Sequence, residues 1–205
     1  MNSNDQEMEV KFLVMDLKAL EQKLKSLGAS LVTPRTIEAN LRFDYANGSL
    51  SKNGKVLRLR HDAHNVVTFK GPSSDHQGVT SRQEIEFKVS NFAAARRVLE
   101  ALGFQVTVAY EKYRSTYAID GIEVMLDEMP YGNFCEIEGA DPAQIQALAD
   151  KLGLKWATRS MASYMLLFEN VKKQRRLPFR DLYFKNFKGL VVSPEDLGLK
   201  PADLS

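Results

Sequence analysis

The 205-residue chain is 44% apolar and 26% charged, with a formal net charge of +2. That balance fits a soluble globular chain with room for one sizeable domain and an appendage, and it lacks the basic excess of a nucleic-acid binder. The single Cys135 excludes an internal disulfide and a cysteine metal cluster. No apolar run is long enough to span a bilayer and the polar start shows no signal core, so a reducing, cytoplasmic setting is expected.

The first strand is expected over residues 6–15. Its alternation puts Glu7, Glu9 and Lys11 on one face, with Met8, Val10 and Phe12 on the other. Two carboxylates about 7 Å apart along a strand repel unless a cation sits between them, and a hard divalent ion such as Mg²⁺ takes oxygen ligands. Taken alone, a solvated charged face explains this motif as well. Asp16 then caps a helix carrying Leu17, Leu20, Leu24 and Leu27 at helical spacing, and Gly28 ends it. An extended segment over 29–46 alternates Asn40, Arg42 and Asp44 with Leu41, Phe43 and Tyr45. Asn-Gly turns at 47–48 and 53–54 frame the approach to residues 56–60, where Arg58 and Arg60 share a face opposite leucines. Residues 66–70 set Thr68 and Lys70 together. After a polar loop to Gly78, residues 82–89 repeat the opening motif: Glu84, Glu86 and Lys88 on one face, Ile85, Phe87 and Val89 on the other.

Asn91 caps a second helix with an apolar stripe of Phe92, Ala95, Val98, Leu99 and Leu102, and Gly103 ends it. The two halves share one grammar of acidic strand, helix, glycine and long strand, which suggests an internal duplication. Strands are then expected near 104–118, 121–129 and 133–139. Lys112 and Arg114 share a face in the first, Glu123, Met125 and Asp127 in the second, Glu136 and Glu138 in the third. Asp141-Pro142 starts a helix with Ile145, Leu148, Ala149 and Leu152 inward. Ser160 is expected to cap a last helix through about Asn170. The basic run at 172–176 reads as a solvated helix end. The aromatics Phe179, Tyr183, Phe184 and Phe187 read as a tail docked on the main body or on a partner. The expected division is a main domain over 1–170 and an extension over 171–205.

Summed over the strands, the polar faces carry Lys11, Arg42, Arg58, Arg60, Lys70, Arg82, Lys88, Lys112 and Arg114 against Glu7, Glu9, Asp44, Glu84, Glu86, Glu123, Asp127, Glu136 and Glu138. The opposite faces are apolar, and four helices have stripes to cover them. The expected fold is α+β: an eight-stranded antiparallel closed β-barrel with a charged interior and helices packed outside. Burying so many charges without a guest is costly. A polyanion with a metal ion suits this interior, because arginine and lysine grip phosphate oxygens and acidic pairs hold the bridging cation. The alternative is a twisted open sheet with a solvated charged face.

The ordered series Glu7-Met8-Glu9-Val10-Lys11, Leu57-Arg58-Leu59-Arg60, Thr68-Phe69-Lys70, Glu84-Ile85-Glu86, Glu111-Lys112-Tyr113-Arg114, Leu126-Asp127 and Phe134-Cys135-Glu136-Ile137-Glu138 resembles the CYTH superfamily, the triphosphate tunnel metalloenzymes, over about residues 5–170. The resemblance implies an eight-stranded tunnel that binds a triphosphate with Mg²⁺ or Mn²⁺. It implies Glu7, Glu9, Asp127, Glu136 and Glu138 at the metal, and Lys11, Arg58, Arg60, Lys70, Lys112 and Arg114 on the phosphates. Glu84 and Glu86 would orient arginines or serve a second metal, and Lys88 would sit near the transferred phosphoryl group. The expected substrate is tripolyphosphate, ATP or thiamine triphosphate, with hydrolysis as the first choice. Cyclisation of ATP to cyclic AMP and a non-catalytic polyphosphate-binding module are the alternatives. Tyr45, Tyr131 and Phe134 are candidates to line a base pocket for the cyclase, although packing explains each of them better. His61, His64 and His76 fall at turns or loops and have no metal-ligand spacing. Neither a membrane nor a nucleic-acid partner is expected. A homodimer is compatible with such a barrel, and the sequence leaves the oligomeric state open.

Overall fold

The computed structural model describes residues 6–204. Nine strands form one antiparallel sheet: β1 (Gln6–Val14), β2 (Ser30–Asp44), β3 (Val56–His61), β4 (Asn65–Lys70), β5 (Ser74–His76), β6 (Val79–Val89), β7 (Gln105–Ile119), β8 (Ile122–Met129) and β9 (Gly132–Glu138). The order β1-β9-β8-β7-β2-β3-β4-β6 closes through pairing of β6 with β1, where Glu7 stands opposite Arg82. The result is a ring of eight antiparallel strands. The ninth strand, β5, falls where a loop was expected; it is three residues long and pairs only with the start of β6.

Closure follows from alternation. Each strand has an apolar face that must leave water, so the sheet curls with its apolar faces outward against helices and its charged faces together inside. Helices α1 (Leu17–Ser26) and α4 (Pro142–Leu152) cover β1, β8 and β9. Leu20, Leu24, Ile145, Leu148 and Leu152 there pack with Val10, Phe12, Val124 and Ile137, all buried. Asp16 and Asp141 accept hydrogen bonds from Ala19 N and Ala143 N, so both predicted N-caps form. Helix α3 (Phe92–Ala101), capped by Asn91, sits over Phe43, Leu57, Leu59 and Val67. A one-turn helix, α2 (Ser49–Lys52), lies between the two Asn-Gly turns.

Two expectations need correction here. The helical cover is incomplete: Ile85 and Phe87 on the outer face of β6 are 42% and 57% exposed, and Val98 and Leu102 of α3 face water. Helix α3 covers Phe43, Leu57, Leu59 and Val67 with Phe92, Ala95 and Leu99 and leaves Val98 and Leu102 outside, so the apolar stripe read from its sequence is wider than the surface it covers. The last long helix, α5 (Tyr164–Arg175), starts later than expected. Its cap is Ser163, whose hydroxyl accepts from Leu166 N, while Ser160 N donates to Lys11 O and extends the edge of β1. The helix also runs further, so most of the basic run forms its last turn.

The tail docks on the barrel. Leu182 takes the place beside β7 that β8 vacates at its turn, donating to Ala109 O and accepting from Glu111 N. Beyond it, α6 (Pro194–Leu197) and Ala202 reach β1, where Ala202 N donates to Leu13 O. Leu13, Tyr110, Met129 and Phe134 lie on inward alternation positions towards one end of the ring. There they pack against Leu167, Phe168 and Val171 of α5 and Leu182, Phe187 and Leu197 of the tail. Charge gives way to apolar packing at that end, and α5 with the tail stops it. No helix among the described residues is long and apolar enough to cross a membrane.

Candidate active site

The interior of the ring is a cavity of about 990 Å³. Its lining includes Glu7, Glu9, Lys11, Glu38, Arg42, Arg58, Arg60, Lys70, Arg82, Glu84, Glu86, Lys112, Arg114, Glu123, Glu136 and Glu138. The N-terminal turn of α5 contributes Tyr164 and its neighbours. Register explains the convergence: Glu9 faces Glu138, which faces Glu123, and Lys11 faces Glu136. Side chains far apart in sequence thus become lateral neighbours on one inward face.

The charges sort into three groups. In the first, Lys112, Arg114 and Lys11 meet Asp127 and Glu136. Arg114 donates Nε and Nη2 to Asp127 at 2.6 and 2.5 Å and also contacts Glu136. Lys112 reaches Asp127 at 3.1 Å, Lys11 pairs with Glu136 at 2.9 Å, and the Tyr164 hydroxyl donates to Asp127 at 2.6 Å. Asp127 has no solvent exposure. With this many donors it acts in the structure as an organiser of cations. Glu38, also buried, lies 3.6 Å from Lys112 and 3.7 Å from Arg60. Burial raises its pKa, but Lys112, Arg114, Arg58 and Arg60 outweigh that and hold it at about 2.

The second group is acidic. Lys70 pairs with Glu7 at 2.9 Å and Glu84 at 2.7 Å; Arg82 reaches Glu7 at 3.3 Å and Glu9 at 3.2 Å. Glu7 and Glu84 sit side by side on Lys70. Burial works against charge on both, but the adjoining Glu84 carboxyl, Lys70 and Arg82 take Glu7 down to about 2, whereas burial and the neighbouring Glu7 push Glu84 up to about 8. Glu138 has no cationic partner within ion-pair distance among the described residues. Burial, with Glu7, Glu9 and Glu123 beside it, pushes it up to about 7. A carboxylate held against its own ionisation by burial and three other carboxylates is short of positive charge, which is the donor chemistry a hard divalent cation satisfies. Glu7, Glu9, Glu123 and Glu138 therefore fit Mg²⁺ or Mn²⁺. Among the described residues no three acidic groups converge on one point as a finished cage.

The third group is the arginine wall of β2 and β3. Arg58 donates to Thr68 Oγ1 at 3.1 Å and Glu86 Oε1 at 3.2 Å, so Glu86 orients an arginine. Arg60 lies 3.0 Å from Asp62. Arg42, directly across from Arg58, opens into the cavity.

All but one of the sequence-predicted site residues belong to this interior. Lys88 is the exception: it lies at the exposed end of β6, opposite Val66, in a groove on the rim with Asp62 and His64. The candidate base-pocket aromatics turn elsewhere. Tyr131 and Phe134 are buried in the packed end, and Tyr45 stacks on Phe104 at 4.4 Å outside. Sequence reasoning missed Glu38, which extending the Asn40–Arg42–Asp44 alternation two residues back would have found. It gave Glu123, Arg42 and Arg82 a face but no role. Tyr110 continues the inward alternation of Lys112 and Arg114 two residues back, whereas Tyr164 enters the cavity through tertiary packing and carried no local signal.

A closed antiparallel ring with helices outside and a charge-lined interior defines a class of protein, the barrel whose polar faces are turned inward. Residues 5–164 match the CYTH domain family, and the chain belongs to it. It is 29% identical over 134 residues to a Methanocaldococcus jannaschii protein named as a candidate adenylate cyclase, covering 64% of this chain and 75% of the relative. It is 27% identical over 176 residues to adenylate cyclase CyaB of Aeromonas hydrophila, covering 80% and 88%. Among solved structures, a candidate adenylate cyclase from Vibrio parahaemolyticus superposes with a TM-score of 0.72 at 22% identity, covering 80% of this chain and 97% of that one. A Hippeastrum protein described as a candidate adenylyl cyclase with a dominant triphosphatase activity gives 0.57 at 21% identity, covering 80% and 95%. These two structures share the fold.

Proposed function

We propose that this chain is a divalent-metal-dependent enzyme that binds a triphosphate inside the ring and hydrolyses it. The observation that carries the reading is the pairing of two opposite features in one cavity: an arginine and lysine wall, and a carboxylate set with a deficit of positive charge around Glu138. A bare anion site needs no such carboxylates, and a bare metal site needs no such wall. A metal-bound triphosphate answers both.

Glu7, Glu9, Glu138 and Glu123 would hold Mg²⁺ or Mn²⁺, which supplies charge neutralisation at the phosphate oxygens when bound. Lys11, Arg58, Arg60, Lys70, Lys112 and Arg114 would bind and orient the phosphate chain. Asp127 and Glu136 fix the rotamers of Arg114, Lys112 and Lys11 through the ion pairs described above. Glu86 does the same for Arg58. Phosphoryl transfer depends mostly on positioning and charge stabilisation, so a rigid cage of oriented cations is the protein's main contribution. Attack by water would release phosphate and diphosphate from tripolyphosphate.

The second reading, an adenylate cyclase, is favoured by the names of the two curated relatives. It requires a ribose 3′-hydroxyl to attack the α-phosphorus and a pocket for the base. Hydrolysis remains first because the aromatics considered for that pocket pack away from the cavity.

The test is incubation of the purified chain with Mg²⁺ or Mn²⁺ and, in parallel, tripolyphosphate, ATP and thiamine triphosphate, with products resolved by chromatography. Orthophosphate is expected. Cyclic AMP with pyrophosphate would move the function to cyclase. Tight polyphosphate binding with neither product would make the chain a binding module.

A further inference from the structure

The arginine wall contains one cation that nothing in the fold explains. Arg42 lies opposite Arg58 across β2 and β3, and like charges directly opposed on a sheet are destabilising. No ion pair or side-chain hydrogen bond answers its guanidinium among the described residues. The nearest carboxylate on its own strand, Asp44, is committed elsewhere: it accepts from Tyr45 N, Leu50 N, Ser51 N and Ser51 Oγ, holding α2 in place. Glu86 is taken by Arg58 and Thr68. Burial lowers the pKa of Arg42, and Arg58 and Arg82 add to that, while Tyr110 and Asp44 only partly oppose it.

Its neighbours are unsatisfied as well. Asn40, two residues back on the same inward face, is only 2% exposed, and neither its amide nitrogen nor its oxygen has a partner. It stands between Arg60 on β3 and Tyr110 on β7. The Nε of Arg58 is likewise buried without a hydrogen-bond partner, and the Nε of Arg60 has only Asp62, 3.0 Å away and off hydrogen-bond geometry. Buried donors are normally paired, and a cluster left open at this density marks a place where acceptors arrive from outside.

We infer that Arg42 is a substrate-binding residue: with Asn40 and the inner edges of Arg58 and Arg60 it forms a receiving site for one phosphate group of the chain bound in the ring. This deepens the proposed function and rests on it. The geometry suits a tetrahedral oxyanion with several acceptor oxygens, which can lie between two facing guanidinium forks and convert their repulsion into shared attraction. Without phosphate, Arg42 is a cost to the fold.

That double role gives the test. The full-length chain, wild type and Arg42→Gln, is titrated with tripolyphosphate in EDTA by calorimetry, and its thermal midpoint is measured without ligand. The substitution should weaken tripolyphosphate binding about 10- to 100-fold, the loss expected for charge-assisted hydrogen bonds to one phosphate. It should leave the ligand-free midpoint unchanged or raised, because a half-buried cation with no ion-pair partner among the described residues has gone. Arg42→Lys, which keeps the charge but not the fork, should fall between. Equal affinity in wild type and Arg42→Gln would overturn the inference while leaving the proposed function standing. So would a ligand-free midpoint lowered by several degrees, which would assign Arg42 a structural role. A wild type that binds tripolyphosphate neither in EDTA nor with Mg²⁺ present would remove both.

Discussion

At the scale of single residues, the interior is stabilised by charges that depend on one another. Asp127 accepts from Arg114, Lys112 and Tyr164 with no exposure to water. Asp127→Asn keeps the shape and removes the charge, leaving two buried cations short of a partner. Breaking a buried pair in this way costs about 3–5 kcal/mol. Urea unfolding should show a loss of that size, and a loss under 1 kcal/mol would mean that cavity water already screens the cluster. Glu38 gives a pH dependence. Its folded pKa of about 2 lies below the ordinary 4.5. The folded state therefore holds fewer protons on it than the unfolded state, and its contribution is present above pH 4.5 and lost as pH falls toward 2. A shift of this size in a buried group is worth on the order of 3 kcal/mol. Glu38→Gln should be less stable than wild type at pH 7, with the gap closing between pH 4.5 and the acid limit. A gap that stays constant with pH would show that the loss comes from packing.

At the scale of elements, alternation made most of the fold legible. A period of two with charge on one side and Leu, Val, Ile or Phe on the other fixes both the strand and its curl. That is why the inward sets on β1, β3, β7 and β9 could be named from sequence. What alternation could not give was the extent of helical cover, because a strand's apolar face does not say which helix reaches it. Ile85 and Phe87 read like core and stand in water. Lys88 shares a face with Glu84 and Glu86, yet β6 carries it past the rim. The start of α5 was misplaced because Ser160 and Ser163 are both acceptable caps. The choice between them was made by β1, whose free edge at Lys11 takes Ser160 into a bridge. The exposed face of β6 makes its own prediction. Phe87→Thr removes an aromatic that is 57% exposed and puts a β-branched residue, also favoured in strands, in its place. Its effect on chemical denaturation should lie within about 0.5 kcal/mol, as for surface positions generally. A loss above 2 kcal/mol would mean that a partner covers this face in solution.

At the scale of the whole molecule, the ring has no apolar centre. Its stability comes from two outer clusters and from the packed end where α5 and the tail meet Leu13, Tyr110 and Phe134. The middle is held open by charges, several of them unsatisfied. Such a fold should be coupled closely to its ligand, since whatever binds the ring also supplies the missing partners of Arg42, Asn40 and Glu138. A ligand that binds only the folded state adds about 2.7 kcal/mol at one hundred times its Kd. Tripolyphosphate with Mg²⁺ at that excess should raise the unfolding free energy measured in urea by this amount, and either component alone at the same concentration should raise it less, because each leaves one group of charges unanswered. If the two together stabilise by no more than the sum of the two alone, the cations and carboxylates bind independently at separate sites, and the single bridged ligand proposed here is excluded. If the unfolding free energy does not move at all, the interior charges balance one another without a guest.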